Sequence, residues 1–312
     1  IPFVTETYSN SSDPPQEKTF PVCTIKNFPN QIHHTIHWAM DKFDFFRRAP
    51  ENLNNFMLNI NFFENLSSFE KEQCKEDIKI FIDNDFNNWK KCANYAVDMW
   101  FEEYVNNILQ LLHNFPSDCK NKDGSLFWSG GKRCPKPLEY DLNDNLIVDY
   151  INSVTKLLCS CSNIENNFTK EELIDHISNY NPKEFKVKDN VRIAKDDSEL
   201  DKIKIQEKIF DKDKYFSLIS RMYNPQKFEK DDDDNWHIAF INSSSNCRAK
   251  NYNIPIVSFE ETKGISGKIV PAVSTTTSAV VGLISLELLK YCLDINDLDS
   301  YQSWFVNLSD NT

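Results

Sequence analysis

Glycine is scarce in this chain. Six occur in 312 residues, Gly124, Gly130, Gly131, Gly264, Gly267 and Gly282, against an average usage of about 7%. None falls into a G-x-G-x-x-G or Walker-type loop, and a glycine-rich phosphate cradle needs several close together. A self-contained nucleotide site of a recognised kind is thereby excluded, and no cofactor is expected on this chain. Basic residues are outnumbered, 35 Lys and Arg against 47 Asp and Glu, for a net charge of −12. Neutralising a phosphate backbone takes clustered cations, so nucleic acid is not an expected partner. No C-x-x-C pair is present, and the C-S-C at 159–161 lacks a second ligand pair, so no metal is expected. Long apolar runs are missing too. The longest uncharged stretch, Ile269 to Ser285, contains Pro271 and the polar residues 274–278, whereas a membrane span needs about 20 mostly apolar residues. It reads as a buried helix of a soluble protein, and no membrane is expected.

What is present is a hydrophobic content of 40% with 23 Phe, enough for a substantial core, and nine cysteines. An odd number of cysteines, in a long chain with no signal peptide, points to reduced thiols in a reducing compartment. The opening IPFVTETYSNSSDPP has no Met, and the expectation is a chain that starts within a longer protein.

Periodicity predicts a mostly helical molecule. Residues 1–22 are loop-like, with Pro2, Pro14, Pro15 and Pro21 around a Ser/Asn/Asp cluster. A first helix follows Pro29, with Ile32, Ile36, Ala39, Met40, Phe43 and Phe46 at three- and four-residue steps, and Pro50 is expected to end it. Further helices are expected at about 52–66, 68–82, 86–113, 145–161 and 170–178, with helical spacing again from Ile238 to Ala249 and a long helix over 268–293. Strand-like runs cover Phe185–Ile193 and 301–308. Composition changes at FEKDDDDN, 228–235, and a domain boundary is expected near 225.

Cys23 sits in FPVCTIKNFP, a few residues before a helix start. The positive end of a helix dipole favours thiolate, and Lys26 acts in the same direction. The thiolate is the nucleophile, so Cys23 is a plausible acyl acceptor. Spacing alone does not separate it from the other eight; a small buried hydrophobe is the plain alternative. His33, His34 and His37 lie off the apolar stripe and read as surface residues, with a Cys–His hydrolase pairing as the competing reading. Asp231, Asp232, Asp233 and Asp234 precede a helix and can cap it, though four carboxylates in a row also invite a cationic partner.

Several segments in order resemble the single-chain ubiquitin-activating (E1) enzymes. PFVTETYSNSSDPP resembles their crossover loop. FPVCTIKNFPN with His34, Thr35, Trp38 and Ala39 resembles the catalytic-cysteine motif. FWSGGKRCPKPL, Phe127 to Leu138, resembles a signature of the second catalytic-cysteine half-domain. FEKDDDDN, SNCRAKNY (Ser245 to Tyr252) and GKIVPAVSTTTSAVVGLISLELLK resemble the return into the adenylation domain. The resemblance implies a predominantly α fold, α+β overall. A crossover loop would cover 1–22, a helical second catalytic-cysteine half-domain 23–225, and an incomplete piece of an α/β adenylation domain 226–312. It implies that Cys23 takes ubiquitin from ubiquitin-adenylate as a thioester and passes it to an E2 ubiquitin-conjugating enzyme. Thr24, Asp231, Asp232 and Asp233 are the matched neighbours it suggests as supporting residues, beside Lys26, which its charge near the thiol already singled out. ATP and magnesium would belong to the full-length ligase, located in cytoplasm and nucleus. An activating enzyme for another ubiquitin-like modifier is the alternative within the same chemistry.

Overall fold

The computed structural model describes residues 20–121, 123–189, 191, 193, 210–268, 274–302 and 304. Among them the chain forms α1 (Val22–Lys26), α2 (Ile32–Phe43), α3 (Phe45–Leu58), α4 (Ser68–Asn84), α5 (Trp89–Phe101), α6 (Asn107–Asn114), α7 (Asn145–Cys161), α8 (Lys170–Ser178), α9 (Lys212–Leu218), α10 (His237–Asn251), α11 (Phe259–Ser266) and α12 (Ser274–Cys292). The predominantly α class is as expected. Among the described residues the only β pairing is an isolated antiparallel bridge between Lys120 and Leu126. The run at 185–193 forms no strand where it is described, and most of 301–308 lies outside the described residues.

Local chemistry starts several helices. Ser67 opens α4 with a capping box: its hydroxyl accepts the Glu70 N–H at 3.3 Å, and the Glu70 carboxylate accepts the Ser67 N–H at 2.9 Å. Thr169 and Glu172 repeat the arrangement at α8. Pro50 behaves differently from expectation. It lies inside α3, and the break falls earlier, at Asp44. A proline in a helix leaves the carbonyl four residues back without its N–H. Here that carbonyl, Phe46 C=O, accepts from the Gln226 N–H at 3.0 Å and the Cys161 S–H at 3.2 Å. The stretch expected as one helix over 86–113 is divided by a π-helical turn, Glu102–Asn106. The turn leaves the Tyr104 carbonyl to the Leu138 N–H at 3.2 Å and the Asn251 side-chain amide at 3.0 Å.

The chain divides into two compact units, residues 20–268 and residues 1–19 with 269–312. In the first, α10 packs against α2 and α7. Phe240, Ile241 and Cys247 are fully buried there, with the Phe240 ring 5.2 Å from Phe46 and 5.9 Å from Tyr150. The contacts do not divide the chain at the expected 225. Residues 226–268 pack with the helical unit, because α10 buries apolar side chains against α2 and α7. In the second unit, α12 forms within the predicted 268–293, but none of its residues is buried, and Val281, Ile284, Leu288 and Leu289 are exposed. The reading of that run as a buried helix is not met. Among the described residues no helix is long and apolar enough to cross a membrane.

Asn251 ties α10 to two loops. Its amide donates to Tyr104 C=O at 3.0 Å and to Lys136 C=O at 2.6 Å, and the residue is 1% exposed. Asn251→Ala removes both donors, leaves Lys136 C=O without its amide partner and leaves Tyr104 C=O with the Leu138 N–H alone, so a loss of about 1–3 kcal/mol is expected, read as a lower urea midpoint at unchanged m-value.

Candidate functional site

Cys23 lies in the first turn of α1, a helix of five residues capped by Pro21. Its residue exposure is 8%, and none of the nine cysteines is in a disulfide. The opposite side of α1 is open: Pro21, Val22 and Lys26 are exposed. The thiol is thus buried, but it is carried on a single short helical turn. Five residues cannot hold a helix by their own hydrogen bonds, since nucleation is unfavourable and isolated helices below about 12 residues are marginal. Neighbouring elements must hold α1, and three of the recurring sequence motifs converge there.

The first is the motif with His34 and Trp38. Phe20 packs edge-on against His34, ring centroids 4.5 Å apart, and against His37 at 5.5 Å. The second is FWSGGKRCP. Phe28, just after α1, packs edge-on against Phe127 at 5.7 Å and sits 5.9 Å from Trp128, while the Asn30 amide donates to Gly131 C=O at 3.0 Å. A Cβ on Gly131 would come within 3.2 Å of that amide nitrogen, so a side chain there would push the contact apart. The third is SNCRAKNY at the end of α10. Arg248 donates from Nη2 to Lys26 C=O, and Tyr252 donates its hydroxyl to Asn27 C=O at 2.7 Å. The guanidinium lies 4.2 Å from the Trp38 ring centroid. Helix C-termini leave carbonyls without intrahelical partners, and these two donors take them. The Arg133 guanidinium in turn donates to Asn253 C=O at 2.6 Å, joining the second and third segments.

The sequence-predicted site residues divide into two groups. Cys23, Thr24 and Lys26 share α1. Asp231, Asp232 and Asp233 do not join them. Asp232 caps a 3-10 turn, Asp233–Asn235, through the Asp234 N–H at 2.9 Å; Asp233 pairs with Lys263 at 2.7 Å and Asp231 with Lys230 at 3.8 Å. They stand before the first residue of α10, and Arg248 and Tyr252 stand at its end. At 1.5 Å per residue the separation is about 20 Å. In the structure the acidic run forms a capped, ion-paired turn apart from α1. Among the described residues no group of three or more His, Cys, Asp or Glu is placed to hold a metal. Arg248, Tyr252 and Trp38 were legible only as members of motifs; no charge or spacing signal marks them as neighbours of Cys23.

His34 is buried at 3% exposure, contrary to the surface reading. Its Nδ1 accepts the Asn30 N–H at 3.3 Å, and its Nε2 lies 3.0 Å from the Gln31 amide. Both ring nitrogens are therefore engaged close to home, which suits a structural residue better than a hydrolase base. Burial, then the charges of His33 and His37, holds its pKa below the ordinary value, and burial does the same to His176 and His237. The sign follows from linkage. As pH falls past about 6.5 the unfolded chain takes protons that the folded chain refuses. Stability is complete above that value and declines as pH falls toward the folded pKa values. Urea midpoints are expected to drop between pH 7 and 5.5, and His34→Gln should flatten the dependence by up to about 1.4 kcal/mol per pH unit.

Comparison with known proteins places this geometry in a family. The model described as "Ubiquitin-activating enzyme, SCCH domain" matches residues 29–263. The chain is 40% identical to "Ubiquitin-like modifier-activating enzyme 1" of Homo sapiens, over 99% of this chain and 30% of the relative. It is 37% identical to "Ubiquitin-activating enzyme E1 1" of Candida albicans, over 99% and 32%. It is 36% identical to "Ubiquitin-like modifier-activating enzyme 6" of Homo sapiens, over 99% and 31%. The chain thus spans about a third of the length of these relatives. The matched range runs through α10 and α11, in agreement with the boundary that the packing draws.

Proposed function

The chain belongs to the ubiquitin-activating enzyme family, and on that premise we propose that Cys23 is the residue that carries ubiquitin as a thioester. The observation that supports this is a buried thiol carried on a helix of only five residues, at which three of the motifs that carry the resemblance meet. Cys74, Cys92, Cys161 and Cys247 are buried in the core, where burial raises the thiols of Cys74, Cys161 and Cys247 above their ordinary range, and a hydrogen bond with Cys159, then burial, raises that of Cys92. A neutral, enclosed thiol is a poor nucleophile.

The proposed step is acyl transfer. The Cys23 thiolate attacks the carbonyl carbon of the ubiquitin C-terminal acyl-adenylate, the C–S bond forms, and AMP departs with the electron pair of the broken acyl–oxygen bond. Adenylate is a good leaving group, so the attack needs little general-base help, and an orienting histidine is dispensable. The thioester then passes to the cysteine of an E2 enzyme by thiol exchange, which returns the Cys23 thiol. Thr24 and Lys26, on the same turn, are the supporting residues retained in this reading. ATP and magnesium are assigned to the remainder of the parent enzyme, and no step on this chain runs through them. The proposed setting is cytoplasm and nucleus, which suits nine thiols without a disulfide.

The test is a non-reducing gel of the full-length enzyme with ATP, magnesium and labelled ubiquitin, set beside other ubiquitin-like modifiers. The expected outcome is one ubiquitin adduct that a thiol reagent discharges, at much higher yield than with any other modifier. Equal charging by another modifier would overturn the choice of ubiquitin, and a thiol-resistant adduct would overturn the thioester.

A further inference from the structure

The anchoring of α1 is lopsided, and the asymmetry falls on two side chains to which the sequence assigned no role. At its C-terminal end the backbone carbonyls of Lys26 and Asn27 are held by Arg248 and Tyr252. Both donors come from α10 or the residue after it, more than 220 positions along the chain. Arg248 is 4% exposed, and among the described residues no carboxylate forms an ion pair with it. A buried guanidinium normally requires an acid partner. This one rests on the Trp38 face at 4.2 Å, with Tyr252 at 5.4 Å, and its Nε has no hydrogen-bond acceptor. The negative end of α1 is thus the principal acceptor of a buried cation. The charge is held in place by the helix that carries Cys23, and the helix is held in place by the charge.

We propose that Arg248 and Tyr252 are positioning residues that latch α1 in the helical state in which Cys23 is buried, and so set how often Cys23 becomes available to an incoming acyl group. Releasing either donor removes one of the contacts that offset the nucleation cost of a five-residue helix, and Cys23 at 8% exposure then opens more often. The consequence is confined to α1, because α10 is itself pinned independently by Asn251 and by the Tyr104 hydroxyl, which meets Ser244 Oγ at 2.9 Å. The inference deepens the reading of Cys23 as an acyl acceptor and rests on it for its functional meaning, but the opening itself is measurable without any substrate.

The experiment is the rate of iodoacetamide alkylation of Cys23 in the full-length enzyme, followed by mass spectrometry of its peptide. Cys74, buried on α4 away from the cluster that holds Tyr252, serves as the reporter of general loosening. Tyr252→Phe removes one hydroxyl and keeps the ring, so the fold is retained. It is expected to raise the Cys23 rate about five- to tenfold, the equivalent of one lost hydrogen bond, with the Cys74 rate unchanged. Arg248→Lys keeps the charge over Trp38 and loses the forked reach to Lys26 C=O, and an increase of the same order is expected. An unchanged Cys23 rate in both variants would overturn the latch. So would a parallel rise at Cys23 and Cys74, which marks general loosening. Failure of the thioester reading is separate and visible: the ubiquitin adduct would form at another residue while the variants still accelerated alkylation of Cys23.

Discussion

Replacing Cys23 by alanine in the full-length enzyme is expected to abolish the thiol-labile ubiquitin adduct altogether, and replacing it by serine to leave a slower-forming adduct that survives thiol treatment. The two outcomes follow from the atom alone. A thioester exchanges with added thiol, because sulfur is both a good nucleophile and a good leaving group. An oxygen ester of serine does not exchange this way, and a serine hydroxyl, whose pKa lies far above the working pH, is a weak nucleophile without a base beside it. His34, the buried histidine of the following helix, is not free to act as one, since both its nitrogens are engaged with Asn30 and Gln31. Formation of the adenylate precedes the cysteine and should persist in both variants, while transfer to an E2 cysteine should be lost in both. Neither substitution threatens the fold: each removes or exchanges one atom at a residue on a five-residue helix. A non-reducing gel with and without dithiothreitol, beside a pyrophosphate-exchange assay, reads all of these. Wild-type levels of thiol-labile adduct in Cys23→Ala would end the assignment.

The largest effect expected on stability comes from a different part of the same unit, where α3 meets α4. Asp77 is 2% exposed, and its carboxylate accepts from Arg48 Nε at 2.9 Å, Arg48 Nη2 at 3.1 Å and the Asn52 amide at 2.8 Å. Burial pushes this carboxyl up, and the Arg48 guanidinium and Asn52 amide oppose the shift. Arg48→Met takes away the cation and leaves a buried, underpaired carboxylate, so a loss of about 3–5 kcal/mol is expected. That is a large part of a typical domain's stability of about 5–15 kcal/mol. Asp77→Leu should cost less, because the Arg48 side chain keeps 25% exposure and can hydrate its charge. The double variant Arg48→Met, Asp77→Leu should recover most of the loss, as removal of both charges leaves nothing to desolvate. The pH dependence supplies a second reading. With Arg48 gone the carboxyl of the folded state rises further above its unfolded value. The folded state then binds the proton more readily, so the deficit shrinks as pH falls and grows as pH rises through the folded pKa. Urea midpoints of the three variants at pH 5 and pH 8 test this, and equal losses in the single and double variants would contradict it.

Much of the helical content was determined by the sequence alone. The stretches expected at 68–82, 145–161 and 170–178 appear as α4, α7 and α8 with ends within two residues, because apolar spacing and N-terminal caps act over a single turn. Its short-range rules also failed in identifiable places. Pro50 should end a helix, yet sits inside α3, since Gln226 and Cys161, both distant in sequence, take the carbonyl it leaves. A π turn interrupts 86–113 because Leu138 and Asn251 compete for the Tyr104 carbonyl. The change of composition near 228 looked like a boundary, but burial of α10 carries the unit to residue 268. Cys23 was singled out by motif resemblance, and nothing local distinguishes its thiol from eight others. What only the tertiary structure decided is how that thiol is held. A five-residue helix has too few internal hydrogen bonds to persist, so its state is set by Arg248, Tyr252 and the Phe20 and Phe28 contacts. Periodicity cannot report donors that arrive from more than 220 residues away. Local order is written in neighbouring residues, whereas coverage of a reactive group depends on which distant side chains the packed core delivers to it.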